Sequence, residues 1–285
     1  MEKKNMFQTT KIADGVTAIL DKSKVYCYLV EGKEKAALID AGNGVGHLKQ
    51  FVETITDKPV LVLLTHGHQD HAGGIFDFED DQVYVHPADM ELATGAANNF
   101  ETRLDYLKLM NGGVCPCGEE EVLPYREMKI RVLNEGDCFD LGGKTLEVIG
   151  AAGHTQGSVV FLDREDRILF SSDSANLSTF LQLDCSTTVE TYLESLKRIA
   201  KYQGEYDLFV IAHGTTVVSK QVIPNLMELC EEILEGKIEG MPMISSFSFS
   251  QGARWAAPVR EDGITRCDGK IGNLVYRTER IKNKE

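Results

Sequence analysis

The apolar run over 60–64, Val-Leu-Val-Leu-Leu, empties directly into Thr65-His66-Gly67-His68-Gln69-Asp70-His71. A continuous, β-branched run of this length reads as a strand buried on both faces. Three imidazoles and a carboxylate at the end of such a strand constrain the chain more than any other feature. Imidazole nitrogen and carboxylate oxygen are good ligands for zinc and its divalent first-row neighbours. His66 and His68 are two apart and share a side of an extended segment, while Asp70 and His71 are adjacent and diverge. That geometry suits two neighbouring metal sites better than one. The plain alternative is a polar loop of solvated histidines.

Around this motif the pattern alternates between strands and helices. Short runs over 16–20, 25–30 and 36–39 are β-branched or aromatic and separated by turn residues. A helical pattern follows over 47–55, with Leu48, Phe51, Val52 and Ile55 on one face. Gly42-Asn43-Gly44-Val45-Gly46 lacks the spacing of a nucleotide-binding fingerprint. A strand over 83–86 leads into helical material to about residue 110, then a loop over 111–124 rich in Gly, Pro and Glu. Strands resume over 130–133 and 145–149, the latter entered by a Gly142-Gly143 turn. A hairpin joins 159–162 to 167–170. Amphipathic helices are expected over 188–202 and 219–234, with Pro224 near the start of the second. Strands first and helices between later strands, in each half, give an α/β class.

Composition narrows the partners. A net charge of −14 repels phosphate backbones, so nucleic acid is not expected, nor is general attraction to anionic membranes. Seven cysteines, an odd number, do not form a disulfide framework. Cys115-Pro116-Cys117 lacks metal or redox spacing and reads as ordinary thiols. The start of the chain runs into no long apolar segment, and no stretch approaches the roughly 18 apolar residues of a membrane span. A cytoplasmic protein acting on a small molecule is the expectation.

The ordered motifs resemble the metallo-β-lactamase superfamily. The His-x-His-x-Asp-His run is one of five. Ala36-Ala37-Leu38-Ile39-Asp40-Ala41-Gly42 is similar to its strand ending in Asp-x-Gly. Gly153-His154-Thr155-Gln156-Gly157-Ser158 is similar to its Gly-His-Thr loop, with Gln156 where many relatives carry Pro. The strand over 168–170 leads to Ser171-Ser172-Asp173, and the strand over 208–212 leads to His213-Gly214. The set covers about 36 to 214.

The resemblance implies an αβ/βα four-layer sandwich, two mixed β-sheets flanked by helices. It implies a single domain over 1–285, with a lid-like insertion about 87–128 and a strand-rich C-terminal extension about 238–285. By the same resemblance His66, His68 and His154 hold a first metal; Asp70, His71 and His213 hold a second; Asp173 bridges them, and Asp40 orients a ligand from behind. Two Zn²⁺ are the expected ions, with Fe or Mn as alternatives. The implied activity is hydrolysis of a small-molecule ester, thioester, lactone or phosphoester by metal-bound hydroxide, with Asp70 as the ligand that positions water and leaving group. Asp173 places the chain nearer glyoxalase II-type thioesterases, lactonases and phosphodiesterases than β-lactamases, and no export signal points to the latter. The alternatives are a mononuclear iron persulfide dioxygenase and a non-catalytic metal-binding module. Tyr26, Phe180 and Trp255 are pocket candidates, with core burial as the competing reading. His47 and His86 match no motif.

Overall fold

The computed structural model describes residues 6–243, 250–262 and 264–284. Seven strands form the first sheet in sequence order: β1 (Gln8–Ala13), β2 (Val16–Leu20), β3 (Tyr26–Glu31), β4 (Ala36–Ile39), β5 (Val60–Leu63), β6 (Val83–Val85) and β7 (Arg131–Val132). Pairing is antiparallel as far as β4 and parallel from β4 to β7. Parallel neighbours need a crossover. Helix α1 (Leu48–Val52) supplies one between β4 and β5, and α2 (Gln69–Ala72) follows β5. Helices α3 (Met90–Thr94) and α4 (Phe100–Met110) lie between β6 and β7.

The second sheet draws on β8 (Cys138–Asp140), β9 (Thr145–Gly150), β10 (Val159–Asp163), β11 (Ile168–Phe170), β13 (Leu208–Val210) and β14 (Val217–Val218), in the spatial order β14-β13-β11-β10-β9-β8. Strand β12 (Ser178–Phe180) leaves it and pairs with the C-terminal segment. There β15 (Met241–Pro242), β16 (Arg254–Trp255) and β17 (Asn273–Tyr276) complete a four-stranded sheet, ordered β12-β17-β16-β15. Within the extension expected to be strand-rich, the Ser-Phe-Ser-Phe-Ser stretch over 246–250 lies, up to Ser250, outside the described residues.

Period-two alternation explains the layering. Tyr28 and Val30, Ala37 and Ile39, and Leu63 from the first sheet pack against Val159 and Phe161, Ile168 and Phe170, and Val210 from the second. The intervening residues Leu29, Leu38 and Val62 face outward onto α1 and α2 through Leu48, Val52 and Ala72. On the other side Val160, Leu162, Leu169 and Phe209 meet α5 (Val189–Ala200) and α6 (Val222–Leu234). Each such side chain contributes about 1.5–3 kcal/mol on burial, and both faces of β4, β10 and β11 are buried. The molecule is a four-layer αβ/βα sandwich.

Thr188 caps α5, accepting from Thr191 N at 3.1 Å, and Pro224 sits in the first turn of α6, where its missing N–H goes unneeded. Both helices begin and end inside the expected spans. Two sequence expectations fall short. The strand over 130–133 is only the two exposed residues of β7. Strand β1 has no counterpart in the sequence pattern, because Gln8-Thr9-Thr10-Lys11 lies exposed on an edge and carries no apolar alternation. No helix among the described residues is long and apolar enough to cross a membrane.

Register sets the position of the site. Ile39 pairs with Leu63 across β4 and β5, so Asp40 and Thr65 emerge side by side. Phe170 pairs with Val210 across β11 and β13, so the segments reaching Asp173 and His213 emerge at the same rim. An isolated bridge between Val25 and His213, with Tyr26 N on Ala212 O at 2.9 Å, ties the two sheets together there. The carboxyl ends of parallel strands thus converge on one edge, where α/β sheets place their ligands.

Candidate metal centre

At that rim the seven side chains singled out in the sequence come together as three overlapping groups: His66, His68 and His154; His66, His71 and Asp173; and Asp70, His71 and His213. Within each group the candidate ligand atoms lie within 4.8 Å of one another. Asp173 Oδ2 occupies the middle. It stands 3.6 Å from His71 Nε2, 3.6 Å from His154 Nε2 and 3.3 Å from His213 Nε2. His71 Nε2 and His213 Nε2 are 3.3 Å apart, and each is 3.6 Å from Asp70 Oδ2. His66, His71 and His154 are buried, while His213 keeps 27% of its side chain exposed, so the centre opens on its side.

The rings are held from behind. His71 Nδ1 meets Asp40 Oδ2 at 2.9 Å, and Asp40 also accepts from Thr65 N at 2.8 Å and from Ser172 Oγ at 3.0 Å. Thr65 Oγ1 is 3.1 Å from His66 Nδ1. His154 Nδ1 donates to Phe180 O at 2.7 Å. A ring whose outer nitrogen is committed in this way turns the other inward with a fixed tautomer. His66 Nε2 is buried with no hydrogen-bond partner, a group that costs free energy unless something binds it. Asp40 and Ser172 both adopt left-handed backbone, with φ of 59° and 48°. Non-glycine residues rarely do so, and such strain gathers where side chains must be aimed.

Electrostatics divide the cluster. Burial and the neighbouring His154 push His68 down to about 3, and burial with His71 beside it holds His66 well below the ordinary imidazole range. Both are neutral rings with a lone pair to give. Burial opposes charge on the other half too, but there the partners outweigh it. Asp70 and Asp40 raise His71, Asp173 raises His213, and these imidazoles hold Asp70 and Asp173 low. Imidazole nitrogens set beside ionised carboxylates make a donor set that fits divalent cations.

Three further residues shape the centre, and none carries a motif. Asp89, buried, accepts from Gly67 N at 2.9 Å and Thr155 Oγ1 at 2.6 Å through Oδ2, and from Gly157 N at 2.8 Å through Oδ1. It staples the His66–His68 turn to the His154 loop. A Cβ on Gly67 would come within 2.8 Å of Asp89 O, and one on Gly157 within 2.7 Å of the Asp89 carboxylate, so only glycine permits the approach. Helix α4 packs on α2 and brings Tyr106 to the site. Burial, then the Asp70 carboxylate beside it, pushes the Tyr106 phenol well above its usual range, leaving a protonated hydroxyl. Cys185 Sγ lies 3.2 Å from His68 Nε2.

The remaining expectations fall outside the cluster. His47 approaches Asp77 at 3.4 Å, and His86 accepts from Ala88 N at the start of a short 3₁₀ turn. Trp255 is core: it packs with Ala253, Val275 and Phe180, its ring edge-on to Phe180 at 6.4 Å. Tyr26 is half-buried and stacks on Tyr28. None of the seven cysteines forms a disulfide.

Comparison with known proteins identifies the family. The family model of the metallo-beta-lactamase superfamily matches residues 20–213, which takes in every residue of the cluster. The chain belongs to that superfamily. Human acyl-coenzyme A thioesterase MBLAC2 is 30% identical over 182 residues, 57% of this chain and 64% of the relative. Hydroxyacylglutathione hydrolase GloC of Haemophilus influenzae is 27% identical over 148 residues, 52% of this chain and 65% of the relative. The chain thus spans less than two thirds of the length of these relatives. Among solved structures, a metallo-beta-lactamase family protein from Thermus thermophilus superposes with a TM-score of 0.54 at 22% identity, covering 81% of this chain and 85% of that one. That likeness concerns the fold.

Proposed function

We propose that this superfamily member is a dinuclear metal-dependent hydrolase of a small-molecule thioester. The observation that carries the reading is the position of Asp173 Oδ2, shared between a three-histidine group and a group of Asp70, His71 and His213. His66, His68 and His154 would hold one cation, Asp70, His71 and His213 the other, and Asp173 both. Zinc suits this mixture of nitrogen and oxygen donors, and iron or manganese would also be accepted. Bound there, such cations would supply Lewis acidity and lower the pKa of a coordinated water molecule.

The chain's own residues do the rest. Asp40, Thr65 and the Phe180 carbonyl fix ring orientation, so little reorganisation accompanies the reaction. Tyr106 keeps its proton and can donate to the carbonyl oxygen or to the departing sulfur. Water adds to the acyl carbon, the carbon–sulfur bond breaks, and a carboxylic acid and a thiol leave. The thioester class rests on relatives named as an acyl-coenzyme A thioesterase and a hydroxyacylglutathione hydrolase. A complete second group favours this over a one-metal persulfide dioxygenase.

The test is elemental analysis of the purified chain together with a panel of acyl-coenzyme A and acylglutathione thioesters, a lactone and an aryl phosphodiester. Two equivalents of metal, and thioester turnover that disappears on chelation, are expected. A folded chain without metal, or turnover of the phosphodiester alone, would overturn the reading.

A further inference from the structure

We propose that Cys185 is a positioning residue for the metal centre: its sulfur accepts the Nε2–H of His68 and thereby commits His68 Nδ1 to the three-histidine site. The inference rests on the metal-binding reading above. Its starting point is the asymmetry of the rings. His66, His71 and His154 each engage their outer partner through Nδ1 and offer Nε2 inward. His68 is reversed, because its Nε2 is the nitrogen that meets Cys185 Sγ at 3.2 Å. Only Nδ1 remains to join His66 and His154. That cluster wants a ligand, as the buried and unpartnered His66 Nε2 demonstrates. Cys185 is absent from the donor groups that converge among the described residues.

The loop that carries Cys185 is fastened on both sides. Arg280 donates to the carbonyls of Leu183, Asp184 and Ser186. Ser186 Oγ donates to His154 O at 2.7 Å, Gln156 Nε2 to Ser186 O at 3.0 Å, and Thr187 N to Gly153 O at 2.8 Å. The thiol is thus held at a fixed distance from His68 by the same loop that presents His154. A sulfur acceptor is weak, so its effect is to choose which nitrogen faces the ion.

The experiment compares the full-length chain with Cys185→Ser, Cys185→Ala and Cys185→Val. Each is loaded with zinc and titrated against a competing chelator, then loaded with cobalt for absorption spectra. Loss of an outer partner typically weakens a metal site by about 10–100-fold. Cys185→Ala and Cys185→Val should lose at least tenfold in affinity for one of the two ions. Cys185→Ser, whose hydroxyl still accepts, should stay within about threefold of the parent on the same outer-partner argument. Melting of the metal-free forms identifies any variant that misfolds, and the Ala and Ser pair decides if Val does. Equal affinity in the parent and Cys185→Ala would overturn the proposal, as would a serine variant as weak as the alanine one. An intense sulfur-to-cobalt charge-transfer band in the parent would also overturn it, by making the thiol a direct ligand. A parent chain that takes up no ion would refute the metal-binding reading itself.

Discussion

Replacing Asp89 by Asn should damage both the fold and the metal centre, and the size of the effect follows from its three donors. The carboxylate takes Gly67 N–H and Thr155 O–H on one oxygen and Gly157 N–H on the other. In Asp89→Asn the amide oxygen can keep the first two. The amide nitrogen must then face Gly157 N–H, donor against donor. Leaving a buried donor unmatched costs about 1–3 kcal/mol. The two surviving bonds fall from charge-assisted to neutral strength, a loss of about 1 kcal/mol each. The sum is about 3–5 kcal/mol.

For a chain of this size, each kcal/mol corresponds to about 2 °C in Tm, so the metal-free variant should melt about 6–10 °C below the parent. Function should suffer separately, because Asp89 bonds to both the His66–His68 turn and the His154 loop. Chelator competition should show the three-histidine ion bound more weakly, with the second ion less affected. Calorimetry of metal-free and loaded protein, beside the competition assay, reads both effects. A variant that melts within about 2 °C of the parent, under about 1 kcal/mol on the same scale, and holds both ions as tightly would refute this account of the staple.

Tyr106→Phe should lower kcat for a thioester by about 10–100-fold, below the range seen for dedicated oxyanion donors, without changing metal content; unchanged kcat would remove Tyr106 from the reaction. Trp255→Ala should cost about 3–5 kcal/mol by opening a cavity while kcat and KM of the surviving folded fraction stay as in the parent; a change in KM would return Trp255 to the pocket. Asp163, fully buried and with Oδ2 unpartnered, is pushed up to about 6 by burial, opposed by Asp166 N–H and by Lys144. Its folded pKa exceeds its ordinary value of 3.8, so the native state binds the proton more tightly and this group's contribution to stability falls as pH rises from about 4 to about 6. Asp163→Asn should flatten the stability profile across that window relative to the parent, and parallel profiles would show that the carboxyl is not the titrating group.

The candidate ligands are legible because each sits where a short apolar strand runs out, and strand plus motif is local information. Leu63 and Leu64 announce His66, and Val210 and Ile211 announce His213. The continuous apolar runs of β4 and β10 are equally local and mark strands buried on both faces, but the four-layer sandwich follows only from the ordered motifs and the family they resemble. Asp89 is illegible for the opposite reason. Nothing in His86-Pro87-Ala88-Asp89 distinguishes its carboxylate, and its role appears only when Gly157, far along the chain, comes to lie against it. Cys185 reads as one more unpaired thiol until its loop meets His68. Trp255 in a Gly- and Ser-rich tail reads as either a pocket residue or a core residue. Pairing of β17 with β12 buries it, and no residue near Trp255 predicts that partner.

The two segments that reach the centre from outside the motifs share one device. Arg103, buried in α4, donates to the carbonyls of Asn99, Gly73 and Leu123 and lies over the Phe76 ring at 5.0 Å. Burial alone pushes its pKa down to about 10, the mark of a cation enclosed for its geometry and not for a charged partner. Arg280 does the same for the Cys185 loop with the carbonyls of Leu183, Asp184 and Ser186. A guanidinium bonded to three backbone oxygens fixes the path of a segment without specifying its side chains. The backbone around Tyr106 and around Cys185 is thus anchored independently of the side chains beside them.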